Sequence, residues 1–143
     1  MLKRHWRALL SGAPVLFSLA AQAQQTSATP PSLYTSEQAQ RGQASYAESC
    51  ALCHGQNLDD GGQAGGPPLR GVMFQSQWGG GDVATLFTFI RNGMPANNPA
   101  GLSDATYADI VAYILQSNGY TSGDTELPPD LAAQVGLSLA ANR

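Results

Sequence analysis

Lysine is almost missing from this sequence: Lys3 is the single example among 143 residues. Histidine occurs twice, at His5 and His54, and cysteine twice, at Cys50 and Cys53. Two thiols cannot build a disulfide-dense scaffold. Lys and Arg number seven against ten acids, and a pI of about 5.1 leaves no basic face for a nucleic acid. Only 12% of the residues are charged, so salt bridges and acid–base groups are in short supply for any mechanism. What is present is 43% hydrophobic, which excludes wholesale disorder, and the length fits one domain.

The first segment reads as an address. Lys3, Arg4 and Arg7 precede an apolar stretch from Ala8 to Ala20, and Ala21-Gln22-Ala23 follows. A basic start, an apolar middle and small residues at a cut site predict a secretory signal peptide over 1–23. The alternative is a membrane anchor. A span needs about 20 apolar residues, whereas this stretch is shorter and is broken by Ser11, Gly12 and Pro14. No cysteine stands at the cut to carry lipid, and no adjacent arginine pair marks a twin-arginine signal. The expected mature chain is periplasmic and has no membrane span. It carries four arginines against ten acids, a formal charge of −6. Its thiols and its imidazole all fall within five consecutive residues, 50–54.

The mature chain divides into a flexible leader (24–34), a domain (35–120) and a C-terminal tail (121–143). The leader is rich in Gln, Ser, Thr, Ala and Pro without periodicity. A helix is predicted from Thr35 or Ser36, with Thr35 and Gln38 as a capping box and Ala39, Gly42, Tyr46 and Cys50 on one face. Gly42 is best tolerated in that helix where another helix approaches closely. Residues 55–81 hold nine glycines and two prolines and read as one long irregular segment. A second helix is expected after Asp82, with Val83, Leu86, Phe87 and Ile90 as its apolar stripe and Gly93 and Pro95 as its stop. A third follows Ser103, with Leu102 and Tyr107 as a hydrophobic staple and Tyr107, Ile110, Val111, Ile114 and Leu115 facing the core. Asn118-Gly119 closes it, and a short helix is expected after Asp130. Three main helices give an all-α shell of modest core.

Cys50-Ala51-Leu52-Cys53-His54 is the C-x-x-C-H signature of covalent c-type haem attachment. Two intervening residues place both sulfurs at the separation of the porphyrin vinyl groups, and the next imidazole can ligate the iron. The competing readings are weaker. A structural zinc site needs about four ligands, and the mature chain has three residues of that type. A thioredoxin-like motif expects a βαβ setting, and a disulfide across this spacing would staple almost nothing.

With these residues in view, the sequence resembles a class I, single-haem bacterial cytochrome c from about Ser36 to Gly119. Gly42 and Tyr46 resemble the family's glycine and aromatic on the first helix. Asp109-Ile-Val-Ala-Tyr113-Ile resembles its last-helix pattern, whose aromatic crosses that glycine. Gly66-Pro67-Pro68-Leu69-Arg70-Gly71 resembles its Gly-Pro-x-Leu-x-Gly segment. The resemblance implies one covalent haem c with His54 on its iron. It also implies that the Pro67 carbonyl orients the His54 ring, that Leu69 packs on the haem and that Gly71 turns the chain. Two methionines follow the leader, and Met94, in Asn-Gly-Met-Pro, resembles the family's distal ligand. The other reading of Met94 is core, which is the reading given to Met73, beside Leu69, Val72 and Phe74. Trp78 is open between an indole bond to a haem propionate and simple packing.

His54 and Met94 together leave no vacant iron position. The resemblance therefore implies a monomeric electron-transfer protein, or the cytochrome subunit of a dehydrogenase complex, and not an enzyme by itself. The glycine-rich segment, the Met-Pro motif and the tail resemble cytochromes that serve periplasmic PQQ-dependent dehydrogenases. Such a dehydrogenase is the expected donor, and an oxidase or another cytochrome the expected acceptor. The competing reading is a haem enzyme or gas sensor with an open sixth position.

Overall fold

Residues 32–142 are described by a computed structural model; the expected signal peptide, residues 24–31 of the leader and Arg143 lie outside them. Thr35 opens α1 (Ser36–Ser49), its backbone extended and its hydroxyl accepting the Gln38 N–H at 3.1 Å. Only half of the expected capping box forms. The Gln38 amide pairs instead with the backbone of Leu127, donating to its carbonyl at 2.9 Å and accepting its N–H at 2.7 Å. Gln38 is 2% exposed, and a buried amide must have partners. The tail lying over α1 supplies both.

The chain breaks its helix at Cys50 and resumes as α2 (Ala51–His54). The following segment is not irregular throughout, because α3 (Val72–Trp78) lies within it. The glycines and prolines stop at Gly71, and seven residues free of both follow. Phe74 anchors this short helix in the core. Met73, expected in the core, is 60% exposed, and Val72 is exposed as well. Adjacent residues on a helix point to different faces, and Phe74 takes the inner one.

Asp82 caps α4 (Val83–Gly93), accepting the Thr85 N–H at 2.7 Å, a bond that also holds its carboxyl below the usual range. Ser103 caps α5 (Asp104–Ser117) through the Thr106 N–H. The apolar stripes of both helices are buried as expected, with Ile90 only partly so. Leu102 packs against the same core, beside Tyr107.

The principal packing is α1 on α5. Gly42 lies against the Asp109 carbonyl so closely that a β-carbon there would be 1.8 Å from its oxygen. One turn further along, Tyr46 and Tyr113 pair with ring centroids 5.3 Å apart. Across the same crossing, Arg41 forms a two-bond pair with Asp109 and reaches Glu126 of the tail.

The tail wraps the helices. Its short α6 (Leu131–Gln134), capped by Asp130, packs on α4. Leu127 and Leu139 are buried. The Leu139 N–H donates to Gly81 and the Leu137 carbonyl accepts from Val83, so residues 137–139 grip the start of α4. Among the described residues the only strand-like pairing is one isolated bridge, Asp82 with Ser138. The architecture is all-α, as the sequence implied.

In an exposed helix, alanine for glycine stabilises by roughly 1 kcal/mol. At Gly42 the sign reverses: Gly42→Ala should cost about 1–3 kcal/mol, the usual penalty of overpacking. A denaturant midpoint at or above that of the wild type would contradict the backbone contact between α1 and α5.

Candidate haem site

Local backbone chemistry brings Cys50, Cys53 and His54 together. The Cys50 N–H closes α1 on the Tyr46 carbonyl, and the Cys50 carbonyl then accepts from both Cys53 and His54. The first cysteine therefore stands at the break between the helices and the second within α2. Both thiols are free. Burial, with Cys53 nearby, pushes the Cys50 thiol up to about 11. Tyr46 fixes the far end of the motif by donating from its hydroxyl to Gly55 at 2.7 Å.

His54 is 7% exposed, and its Nδ1 lies 2.7 Å from the Pro67 carbonyl oxygen. A carbonyl can only accept, so Nδ1 carries the proton and Nε2 keeps the lone pair that binds a metal. The loop that delivers Pro67 lies directly on the motif. A β-carbon on Gly66 would be 2.6 Å from the Cys53 carbonyl and 3.0 Å from His54 Nδ1; one on Gly62 would be 2.7 Å from the Leu52 carbonyl. Backbone bonds from Ala64 to Leu52 and from Gly66 to Cys53 close this cradle. Free thiols at the attachment spacing and a buried imidazole with Nε2 available fit a covalently held haem.

The rest of the segment is clamped by a residue that sequence reasoning treated only as a helix end. Asn118 donates to the Leu69 carbonyl at 2.9 Å and accepts the Gly71 N–H at 3.0 Å. Leu69 is partly buried against the core, and Gly71 turns the chain with φ 74°. Trp78 ends α3 with its ring tilted on Phe89, centroids 5.1 Å apart. Met94 stands at the C-cap of α4, half-buried, its N–H bonded to Ile90 and its carbonyl to the Tyr107 hydroxyl. These contacts join Cys50, Cys53, His54 and Pro67 into one unit. They tie Leu69 to α5, Trp78 to α4 and Met94 to α5.

Among the described residues, no group of three or more His, Cys, Asp or Glu side chains is arranged to hold a bare metal ion. No described helix is long and apolar enough to cross a membrane.

An all-α shell closed around a C-x-x-C-H motif, with its histidine oriented by a carbonyl, defines a c-type cytochrome domain. The family model for cytochrome c oxidase, cbb3-type, subunit III matches residues 37–114, more than half of the chain, and the chain belongs to that family. It is 38% identical over 89 residues to the cbb3-type cytochrome c oxidase subunit CcoP of Azospirillum brasilense, covering 57% of this chain and 29% of that protein. It is 39% identical over 80 residues to the thiosulfate dehydrogenase of Stutzerimonas stutzeri (strain A1501), covering 52% of this chain and 25% of that protein. The chain thus spans between a quarter and three tenths of the length of these relatives. No solved structure matches it significantly. The domain is an electron-transfer cytochrome c that carries haem c.

Covalent attachment through both cysteines makes a direct prediction. The wild-type protein should keep its haem stain on a denaturing gel, and the Cys50→Ala, Cys53→Ala double variant should lose it. A stained double variant would remove these residues from the attachment.

Proposed function

We propose that this chain is a periplasmic single-electron carrier with His54 and Met94 as its iron ligands. In this reading it takes electrons from a periplasmic dehydrogenase of the PQQ type and passes them toward a terminal oxidase. The observation that carries the reading is the His54–Pro67 hydrogen bond beside the two free thiols. Pro67 locks one tautomer, so His54 offers Nε2 without rearrangement. Cys50 and Cys53 tether the cofactor to the end of α1 and to α2. Met94, set where Gly93 and Pro95 stop α4, would be the second residue to hold the iron and would keep small ligands from it. When bound, the haem supplies a one-electron couple whose potential Met/His ligation raises.

The donor and acceptor are supported by likeness and by charge. The relative named as an oxidase subunit supports an oxidase on the accepting side. The thiosulfate dehydrogenase relative supports a dehydrogenase as neighbour. Of the described arginines, Arg41 and Arg91 are held in ion pairs. With no lysine beyond Lys3, the surface cannot offer a ring of lysines to an acidic partner. An acidic carrier is steered toward basic or neutral surfaces. Haem enzyme or ligand sensor is the second reading, and the thiosulfate dehydrogenase likeness is what favours it.

Optical spectra separate the two. The carrier should be low-spin when oxidised, show the weak long-wavelength band of thioether–iron ligation, and ignore carbon monoxide when reduced. The Met94→Ala variant should lose that band. A high-spin ferric spectrum that responds to carbon monoxide after reduction would favour the enzyme or sensor instead.

Salt tests the partner. Raising ionic strength from about 10 mM to about 150 mM shortens screening to about 8 Å. Reduction by a basic donor should slow, while reaction with an acidic acceptor, of the kind that docks to a lysine ring, should not. The reverse dependence would reject the electrostatic argument.

A further inference from the structure

We infer that Tyr107 is the positioning residue for Met94: its hydroxyl closes the loop that carries the thioether and so holds the distal ligand in place. The inference rests on the proposal that Met94 is that ligand.

Tyr107 lies in the first turns of α5 and is 1% exposed. Its ring packs edge-on against Phe87 of α4, with centroids 6.5 Å apart. Packing alone would be served as well by phenylalanine. The hydroxyl, however, donates to the Met94 carbonyl at 2.6 Å and accepts the Leu102 N–H at 3.4 Å. Met94 and Leu102 are the two ends of the connection between α4 and α5. One oxygen therefore bridges the mouth of the loop on which the proposed ligand sits.

That loop has little else to hold it. Residues 96–101 are all exposed, so no apolar burial fixes them. Its inner bonds, Asn98 N–H to Pro95 and Gly101 N–H to Asn98, shape it without anchoring it. Beyond the Met94 N–H on Ile90, which ends α4, anchorage to the helices comes from the Ala100 N–H on Arg91, from the Arg91–Asp104 ion pair and from Tyr107. The ion pair is exposed on both sides, and such pairs contribute little. Segments with few buried contacts open locally at small cost. Buried and joined to both loop ends, the Tyr107 hydroxyl is the side-chain anchor on Met94 itself, whose other backbone bond, from its N–H to Ile90, only continues α4.

The test is a titration of the oxidised holoprotein with imidazole, which competes with a thioether for ferric iron. Tyr107→Phe keeps the ring and removes the bridge. It should retain the long-wavelength band yet bind imidazole about fivefold more tightly, the equivalent of one net hydrogen bond of about 1 kcal/mol. In a Met94→Ala background the same substitution should change imidazole affinity by less than about twofold, since there is no ligand left to hold. Phe87→Leu loosens the same packing without touching the hydroxyl and serves as the structural control. The inference is overturned if Tyr107→Phe binds imidazole as the wild type does, or if Phe87→Leu reproduces its gain. It is also overturned if the effect survives in the Met94→Ala background. If Met94→Ala itself keeps the band, the ligand assignment fails first and this inference fails with it.

Discussion

A β-carbon on Gly42 would fall 1.8 Å from the Asp109 carbonyl oxygen, so α1 and α5 can meet backbone to backbone only because none is there. Much of the site is placed from that contact. One turn along α1, Tyr46 lies on Tyr113 and sends its hydroxyl to Gly55, the residue after His54. The end of the attachment motif is thereby tied to the helix crossing. The Arg41–Asp109–Glu126 cluster sits at the same crossing, but Arg41 and Glu126 are about half exposed. Surface pairs of this kind contribute roughly 0–1 kcal/mol, so close packing, not charge, sets the approach of the helices.

Irregular segments create a backbone problem, because every buried N–H and C=O needs a partner. A chain with so few charges solves it with neutral side chains from the two crossed helices. Gln38 on α1 takes both backbone groups of Leu127. Asn118, at the end of α5, takes Leu69 and Gly71. Tyr107, near the start of α5, takes Met94 and Leu102. Three loops, the tail included, are each anchored by one uncharged side chain. Neutral anchors avoid the desolvation penalty that burying ions would bring.

The parts of the molecule legible in the sequence are those governed by neighbours in the chain. Thr35, Asp82, Ser103 and Asp130 announce helix starts because a cap bonds an N–H two or three residues away. The apolar stripes of α4 and α5 follow from the helical period. Cys50, Cys53 and His54 are adjacent and were plain; Pro67 required a resemblance, since nothing near it in the sequence points back thirteen residues to His54. What escaped depends on partners far along the chain. Gln38 suits a capping box by spacing, and only the tail's position over α1 diverts it to Leu127. α3 escaped because a glycine-rich segment masks a seven-residue helix, and with it went the inward side of Phe74 and the exposure of Met73.

That exposure bears on how an acidic carrier would meet its partners. Leu52, between the two cysteines, is 64% exposed, so the surface next to the cofactor tether includes an apolar side chain. Val72, Met73 and Phe89 are exposed apolar side chains as well. Apolar contact is insensitive to screening, whereas long-range attraction between exposed charges fades within a Debye length. In the carrier reading the two roles separate. The excess of acids governs how quickly a basic partner is found, and apolar side chains govern how closely it seats. A one-electron carrier must release each partner before meeting the next, and a small apolar contact with charge kept for steering suits that turnover better than a buried ion pair, whose formation carries a desolvation cost.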